Sequence, residues 1–194
     1  SCCGFHGSIP HKMGEIHESG DLMRYEIRKV TFQDFNDIRA IYASARAFMA
    51  RTGNPNQWGK DHPPEETLRK NIQDGVLYAV CAGGKIHGVF AFLLGEDPSY
   101  GEIDGAWLSS APYGTIHRIA SDGSRGIMAA ALPFCKSICS HIRIDTHADN
   151  RVMQEHILKN GFRRCGIIRL QENGEPRIAY ELLPEQTCTE SENA

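Results

Sequence analysis

The sequence has no apolar run approaching the roughly 20 residues that a membrane-spanning helix requires. Its first segment is polar and rich in His and Gly, without the apolar stretch of a secretory signal, so a cytoplasmic protein is the expectation. It also lacks a strong charge of one sign: 21 Lys and Arg stand against 24 Asp and Glu, a formal net charge of -3. No clustered basic stripe argues for a nucleic-acid partner. There are 7 cysteines, yet none forms a CxxC pair and no Cys/His spacing matches a common zinc site, so no metal is expected. Their odd number disfavours a complete disulfide framework. Reduced thiols, several of them small core residues, remain. No internal repeat is visible.

What is present reads as one globular domain. A chain of 194 residues fits a single core and can bury roughly 70% of the surface its unfolded form exposes. Residues 1–22 lack hydrophobic periodicity and read as a flexible leader or an added extension. Residues 23–183 read as the domain, and 184–194 as a flexible polar tail.

Met23, Tyr25 and Ile27 alternate with charged residues, the period of a half-buried strand. Thr31 and Asp34 form a capping-box helix start, followed by an apolar stripe from Phe35 to Met49 that Gly53-Asn54-Pro55 ends. Pro63-Pro64-Glu65-Glu66 opens a second helix. Val76 to Cys81 and Lys85 to Leu94 predict a hairpin around Ala82-Gly83-Gly84. Tyr113 to Ser121 predicts a strand, Ser124 to Ser140 a helix kinked at Pro133, and His141 to Thr146 a strand. Asn150 to Asn160 predicts a short helix closed by Gly161, before two last strands around Glu172-Asn173-Gly174-Glu175. The expected fold is α/β, with a mixed, mostly antiparallel sheet of about six to seven strands flanked by about four helices.

That order, and above all the stretch from Gly114 to Phe162, resembles the Gcn5-related N-acetyltransferase (GNAT) family, over roughly residues 24 to 183. The strand Thr115-Ile116-His117-Arg118-Ile119-Ala120-Ser121 leads into the turn Asp122-Gly123-Ser124-Arg125-Gly126-Ile127-Met128, then a helix, a strand, and Ala148-Asp149-Asn150 through Gly161-Phe162. The run Gln57-Trp58 and the segment Thr146-His147-Ala148-Asp149-Asn150 are similar to a bacterial subgroup whose acceptors are mostly unassigned.

The resemblance implies acetyl transfer from acetyl-coenzyme A, as cosubstrate, to the primary amine of a small molecule. It implies cofactor contacts at Ile119, Ser121, Gly123, Ser124, Arg125, Gly126, Ile127, Met128 and Asn150, with the backbone N–H of Ile119 at the thioester oxygen. It also implies a homodimer, since many relatives pair through their last strands. Free amides at a helix N-terminus make an anion site on physical grounds alone. The family's phosphate-loop pattern is only partly kept: Gly123, Gly126 and Met128 occupy its three marked places, and only the central glycine fits. Met128 is expected to narrow the approach to the pyrophosphate, and Arg125 to pair with a phosphate. Asn150 reads equally as a cofactor contact and as a helix cap.

His117 is the first candidate for a base, because imidazole titrates near neutral pH; a histidine that only satisfies a neighbour is the competing reading. Trp58, Trp107, Tyr113 and His147 are candidates for the acceptor pocket, with core cover the alternative for the aromatics. Glu102 and Asp104 either attract a cationic substrate or are simply solvated. Cys135 and Cys139 read as helix packing. Many relatives carry a proton-donating tyrosine four residues before the glycine of the Gly-Phe pair; here that position is Ile157. Two functions stay open, a working acetyltransferase and a fold relative that binds acyl-coenzyme A without turnover. A cysteine- or metal-dependent hydrolase lacks a motif.

Overall fold

The computed structural model describes residues 24–185. The expected leader, Met23, residues 186–194 of the expected tail, and Cys2, Cys3 and Cys188 lie outside the described residues. Eight strands form one sheet: β1 (Glu26–Lys29), β2 (Leu77–Ala82), β3 (Lys85–Leu94), β4 (Asp104–Gly105), β5 (Gly114–Ser121), β6 (Ile142–Thr146), β7 (Arg163–Arg169) and β8 (Pro176–Leu182). Their order is β1-β2-β3-β5-β6-β8-β7-β4. All neighbours are antiparallel except β5 and β6. The helices are α1 (Phe35–Arg51), α2 (Glu65–Gln73), α3 (Ile127–Ile138) and α4 (Arg151–Lys159).

The central strands are apolar on both faces because helices cover both. Leu77 and Ala79 of β2 and Val89 and Ala91 of β3 pack with Ile38, Ile41 and Tyr42 of α1 and Leu68 and Ile72 of α2. The alternate residues Tyr78, Val80, Phe90 and Phe92 pack with Ile127, Ala131 and Cys135 of α3. A smaller cluster joins Tyr100 and Tyr113 to Ile168 and Ala179.

The local signals hold where they are strong. The Asp34 carboxylate accepts from the Thr31 N–H at 2.8 Å, the expected start of α1. α2 begins right after Pro64. Two readings need correction. The sheet has eight strands rather than six to seven, because β4 hides in the acidic loop and pairs with Gly166 and Ile167. That pairing brings two glycines together: a Cβ on Gly105, which has φ +134°, would run into the Cys165 carbonyl. Two residues leave no alternation to detect. Second, α3 begins at Ile127 rather than Ser124, since the Ser124 N–H turns back to Asp122 Oδ1 at 2.9 Å and Gly126 takes φ +79°. Pro133 stands inside α3, as expected, and the helix runs on to Ile138. Among the described residues no helix is long and apolar enough to cross a membrane.

Candidate active site

The sheet opens where β5 meets β6. These two strands pair only through Gly114 with Ile142 and Thr115 with Arg143. Beyond that, β5 stays with β3 as far as Ser121, and β6 stays with β8 as far as Thr146. Past Thr115, β5 therefore has no ladder partner on its β6 side. A cavity of about 340 Å³ lies along this opening, walled by β5, β6, the segment after α1 and the turn between β7 and β8.

A bulge shapes its floor. Val89 faces Ala120 and Ala91 faces His117, so Arg118 and Ile119 together oppose Phe90. Arg118 has φ +53°, a left-handed conformation that costs a residue with a side chain roughly 1–2 kcal/mol. Tyr42, buried on α1, donates its hydroxyl to the Arg118 carbonyl at 2.8 Å and holds the bulge in place. Removal from water pushes the Tyr42 phenol well above its ordinary value.

His117 lies in the cavity wall with its Nε2 at 2.8 Å from Asp97 Oδ2. Asp97 is itself fixed from two sides. Its N–H donates to the Tyr113 hydroxyl at 2.9 Å, and its Oδ1 accepts from the Ser99 N–H at 2.9 Å. Burial works to raise the Asp97 carboxyl, but the hydrogen bond and charge of His117, the Ser99 N–H and the charge of Arg118 outweigh it. The net position is below the ordinary carboxylate value. An ionised Asp97 favours the tautomer with the proton on His117 Nε2, which in a neutral ring leaves the lone pair on Nδ1. Nearby, Tyr100 donates its hydroxyl to Asp145 Oδ2 at 2.7 Å.

Of the other pocket candidates, Trp58 lines the cavity, 5.7 Å from the Tyr42 ring. Trp107, Tyr113 and His147 do not. Trp107 donates to the Tyr100 carbonyl at 3.0 Å and covers Arg143. Tyr113 supports Asp97 from behind. His147 Nδ1 accepts from the Asp149 N–H at 3.0 Å, in the turn before α4. Glu102, just before β4, and Asp104, within it, are exposed and outside the cavity lining.

Asn150 borders the cavity and caps α4, its Oδ1 accepting from the Met153 N–H at 3.1 Å. Its Nδ2 donates to Gln57 Oε1 at 2.9 Å, and Asn54 Nδ2 donates to the same oxygen at 2.9 Å. The amide chain ties the segment after α1 to the start of α4. Ile119 also lines the cavity.

Residues 121–128 lie beyond the cavity lining, where β5 turns into α3. Ser121 Oγ accepts from the Gly123 N–H at 3.2 Å. Asp122 faces His87 at 2.9 Å, and Ser124 Oγ lies 3.2 Å from the same imidazole nitrogen. Arg125 is exposed, with its carbonyl held by the Tyr25 hydroxyl at 2.8 Å. Gly126 heads α3 with no side-chain cap, so the first-turn amides are not taken up by a capping side chain. Ile127 packs over Gly88. Met128 is 6% exposed and turned into the core, so its bulk does not stand on the solvent side of the loop.

Sequence reasoning missed Asp97, Arg118 and His62, all in the wall, and singled out Gln57 only as part of the Gln57-Trp58 run. Asp97-Pro98-Ser99 carries a cap signature, but nothing local links it to a histidine on another strand. Among the described residues no group of three or more His, Cys, Asp or Glu could hold a metal ion. Cys81, Cys135, Cys139 and Cys165 are free.

Solved structures match this architecture. A GNAT-family acetyltransferase of Streptococcus agalactiae is 28% identical, with a TM-score of 0.76 over 84% of this chain and 96% of its own. GNAT-family acetyltransferases of Bacillus cereus (18% identical, 84% and 99% covered, TM-score 0.57) and Listeria monocytogenes (17% identical, 81% and 95% covered, TM-score 0.59) share the fold. No protein-family model and no curated protein matches the sequence. The fold is that of the Gcn5-related N-acetyltransferases. Within that class, the chain resembles bacterial members whose acceptor is unassigned.

Proposed function

We propose that the protein is an N-acetyltransferase that moves the acetyl group of acetyl-coenzyme A directly to the primary amine of a small molecule. The observation that carries this reading is the His117–Asp97 pair at 2.8 Å, set in a cavity where β5 leaves β6. A neutral amine is the nucleophile, so a base must take a proton from its ammonium form. His117 Nδ1 does this, while Asp97 orients the ring and steadies the imidazolium. The Ile119 N–H, on the bulged and unpartnered stretch of β5, is assigned to the oxygen on which charge develops.

The uncapped start of α3 suits the pyrophosphate of the cosubstrate, with first-turn amides and the helix dipole both favouring an anion. Asp122 lies in that loop, but its charge is engaged by the Ser124 N–H and His87. Arg125, exposed beside it, supplies a phosphate partner. The cosubstrate contributes the thioester, and its thiol, with an ordinary pKa of about 8.5, leaves without strong acid assistance.

One feature favours a second reading, binding of acyl-coenzyme A without turnover. Ile157, where many relatives have a proton-donating tyrosine, is 0% exposed and belongs to the core. Two measurements together separate the readings. Calorimetric titration with acetyl-coenzyme A establishes binding, and release of free thiol across an amine panel measures transfer. Micromolar binding with amine-dependent thiol release supports the enzyme. Binding with release no faster than background across the panel supports the binding-only reading.

A further inference from the structure

Arg118 stands in the cavity wall beside His117, at the bulge, without an ion-pair partner among the described residues. Among the described residues no carboxylate lies within 4.0 Å of its guanidinium. Nη2 donates to Asn71 Oδ1 at 2.9 Å, while Nε is buried with no partner. Its one hydrogen-bonded partner among the described residues is thus a neutral amide, in a largely enclosed place, while Asp97 and Glu172 act on it by charge from beyond ion-pair distance. The acids around the cavity are otherwise engaged or farther off. Asp97 holds His117, Asp145 accepts from Tyr100, and Glu172 is beyond ion-pair distance.

A cation removed from water without its counter-ion is unfavourable, and a planar guanidinium is matched in two-point fashion by a carboxylate. The field on this side of the cavity is positive in a second respect. After burial, the charge of Arg118 is the next largest influence holding the His62 imidazole below its ordinary value; Glu172 works against it, and Arg177 and Arg46 add to it. Arg118 is also the residue among those described that keeps a side chain at positive φ where glycine would be relaxed. A position that needs no side chain for the backbone's sake carries the longest cation available.

We propose that Arg118 anchors a carboxylate of the acceptor, which makes the acceptor an amine of amino-acid or short-peptide type. The inference rests on the acetyl-transfer reading and assigns the substrate class for the same cavity. His117 and Arg118 are consecutive on β5 and both line the cavity. That arrangement suits a ligand whose amine and carboxylate are a few bonds apart, with the amine at the imidazole and the carboxylate at the guanidinium.

The test uses the full chain and a panel of free amino acids and dipeptides, each paired with its C-terminal carboxamide. Binding is measured by calorimetry with and without coenzyme A, and thiol release from acetyl-coenzyme A is followed in parallel. At least one acid is expected to bind roughly 10- to 100-fold more tightly than its amide, the range for a hydrogen-bonded charge. Arg118→Asn, which removes the cation and tolerates positive φ, should erase that preference while leaving coenzyme A affinity and the melting temperature near those of the parent. Arg118→Lys should restore part of it. Equal binding of acids and amides, an unchanged preference in Arg118→Asn, or no binding of any acid in either condition would overturn the inference. Failure of the acetyl-transfer reading shows separately, as absent coenzyme A binding or absent thiol release while the acid–amide preference is still measured.

Discussion

His117 and Asp97 face each other across the cavity mouth, Nε2 to Oδ2 at 2.8 Å, from a central strand and from the loop that follows its neighbour. Tyr113 and Ser99 hold the aspartate in place, so the imidazole meets a fixed partner. This pairing leads to the first prediction. His117→Ala should lower kcat/KM by roughly 10²- to 10³-fold, within the range for a positioned base. The acid limb of its rate profile should disappear, while acetyl-coenzyme A affinity is kept. Asp97→Asn should fall by a smaller factor. Steady-state rates from pH 5.5 to 9 decide it; an unchanged acid limb in His117→Ala removes that residue as the base.

Asn150 has two bonds of different kind, and substitutions can separate them. Asn150→Ala loses the cap of α4 and should cost about 1 kcal/mol, roughly a 2–4 °C drop in melting temperature for a chain of this size. Asn150→Ser keeps a capping oxygen for the Met153 N–H but loses the donor to Gln57. It should melt close to the parent. If Asn150 also contacts the cosubstrate arm, Asn150→Ser will bind acetyl-coenzyme A more weakly despite its intact stability; unchanged affinity limits the residue to capping.

Glu181 is 0% exposed and accepts from His141 Nε2, the Leu108 N–H and Arg143 Nε. Arg143 in turn lies between Trp107 and Tyr113, 3.8 and 3.9 Å from their ring centres. Burial tends to raise the Glu181 carboxyl, but those three donors outweigh it and hold it below the ordinary glutamate value. A depressed carboxyl adds stability that is complete above its unfolded pKa and is lost as pH falls through the folded one. Acid unfolding should therefore set in below the ordinary glutamate range. Glu181→Leu, which strands Arg143, should lose about 3–5 kcal/mol at pH 7 and flatten that acid dependence. Urea melts at several pH values test both.

Gly126 sets the direction of α3 with φ +79°. Gly126→Ala meets no neighbour closer than 3.8 Å, so its penalty is conformational, about 1 kcal/mol. If the first-turn amides bind the pyrophosphate, the same change should weaken acetyl-coenzyme A several-fold by turning them. A lower melting temperature with unaltered affinity would assign the pyrophosphate elsewhere.

The elements themselves were legible because their signals are local. The Thr31–Asp34 box, Pro64 before α2, Gly83-Gly84 in the hairpin and Gly161 after α4 each act within a few residues, and the structure keeps them. The site was legible only in part. His117, Trp58, Ile119 and Asn150 reach the cavity wall. Trp107 and Tyr113 were chosen for being aromatic, yet they serve the ion network and Asp97 from behind. His147 spends its ring on its own turn. Asp97 gave no sign, because its partner sits twenty residues on, in a different strand.

By itself the sequence determined about six to seven strands, about four helices and the strand-loop-helix frame, since alternation, apolar stripes and turn residues are properties of short stretches of chain. Tertiary structure decided β4, the splay of β5 from β6, and the bulge that turns Arg118 into the cavity. A bulge is a mismatch between two strands and belongs to neither. Arg118 illustrates this most clearly: its own backbone preference opposes φ +53°, and the register of β3 against β5, pinned by Tyr42, imposes it.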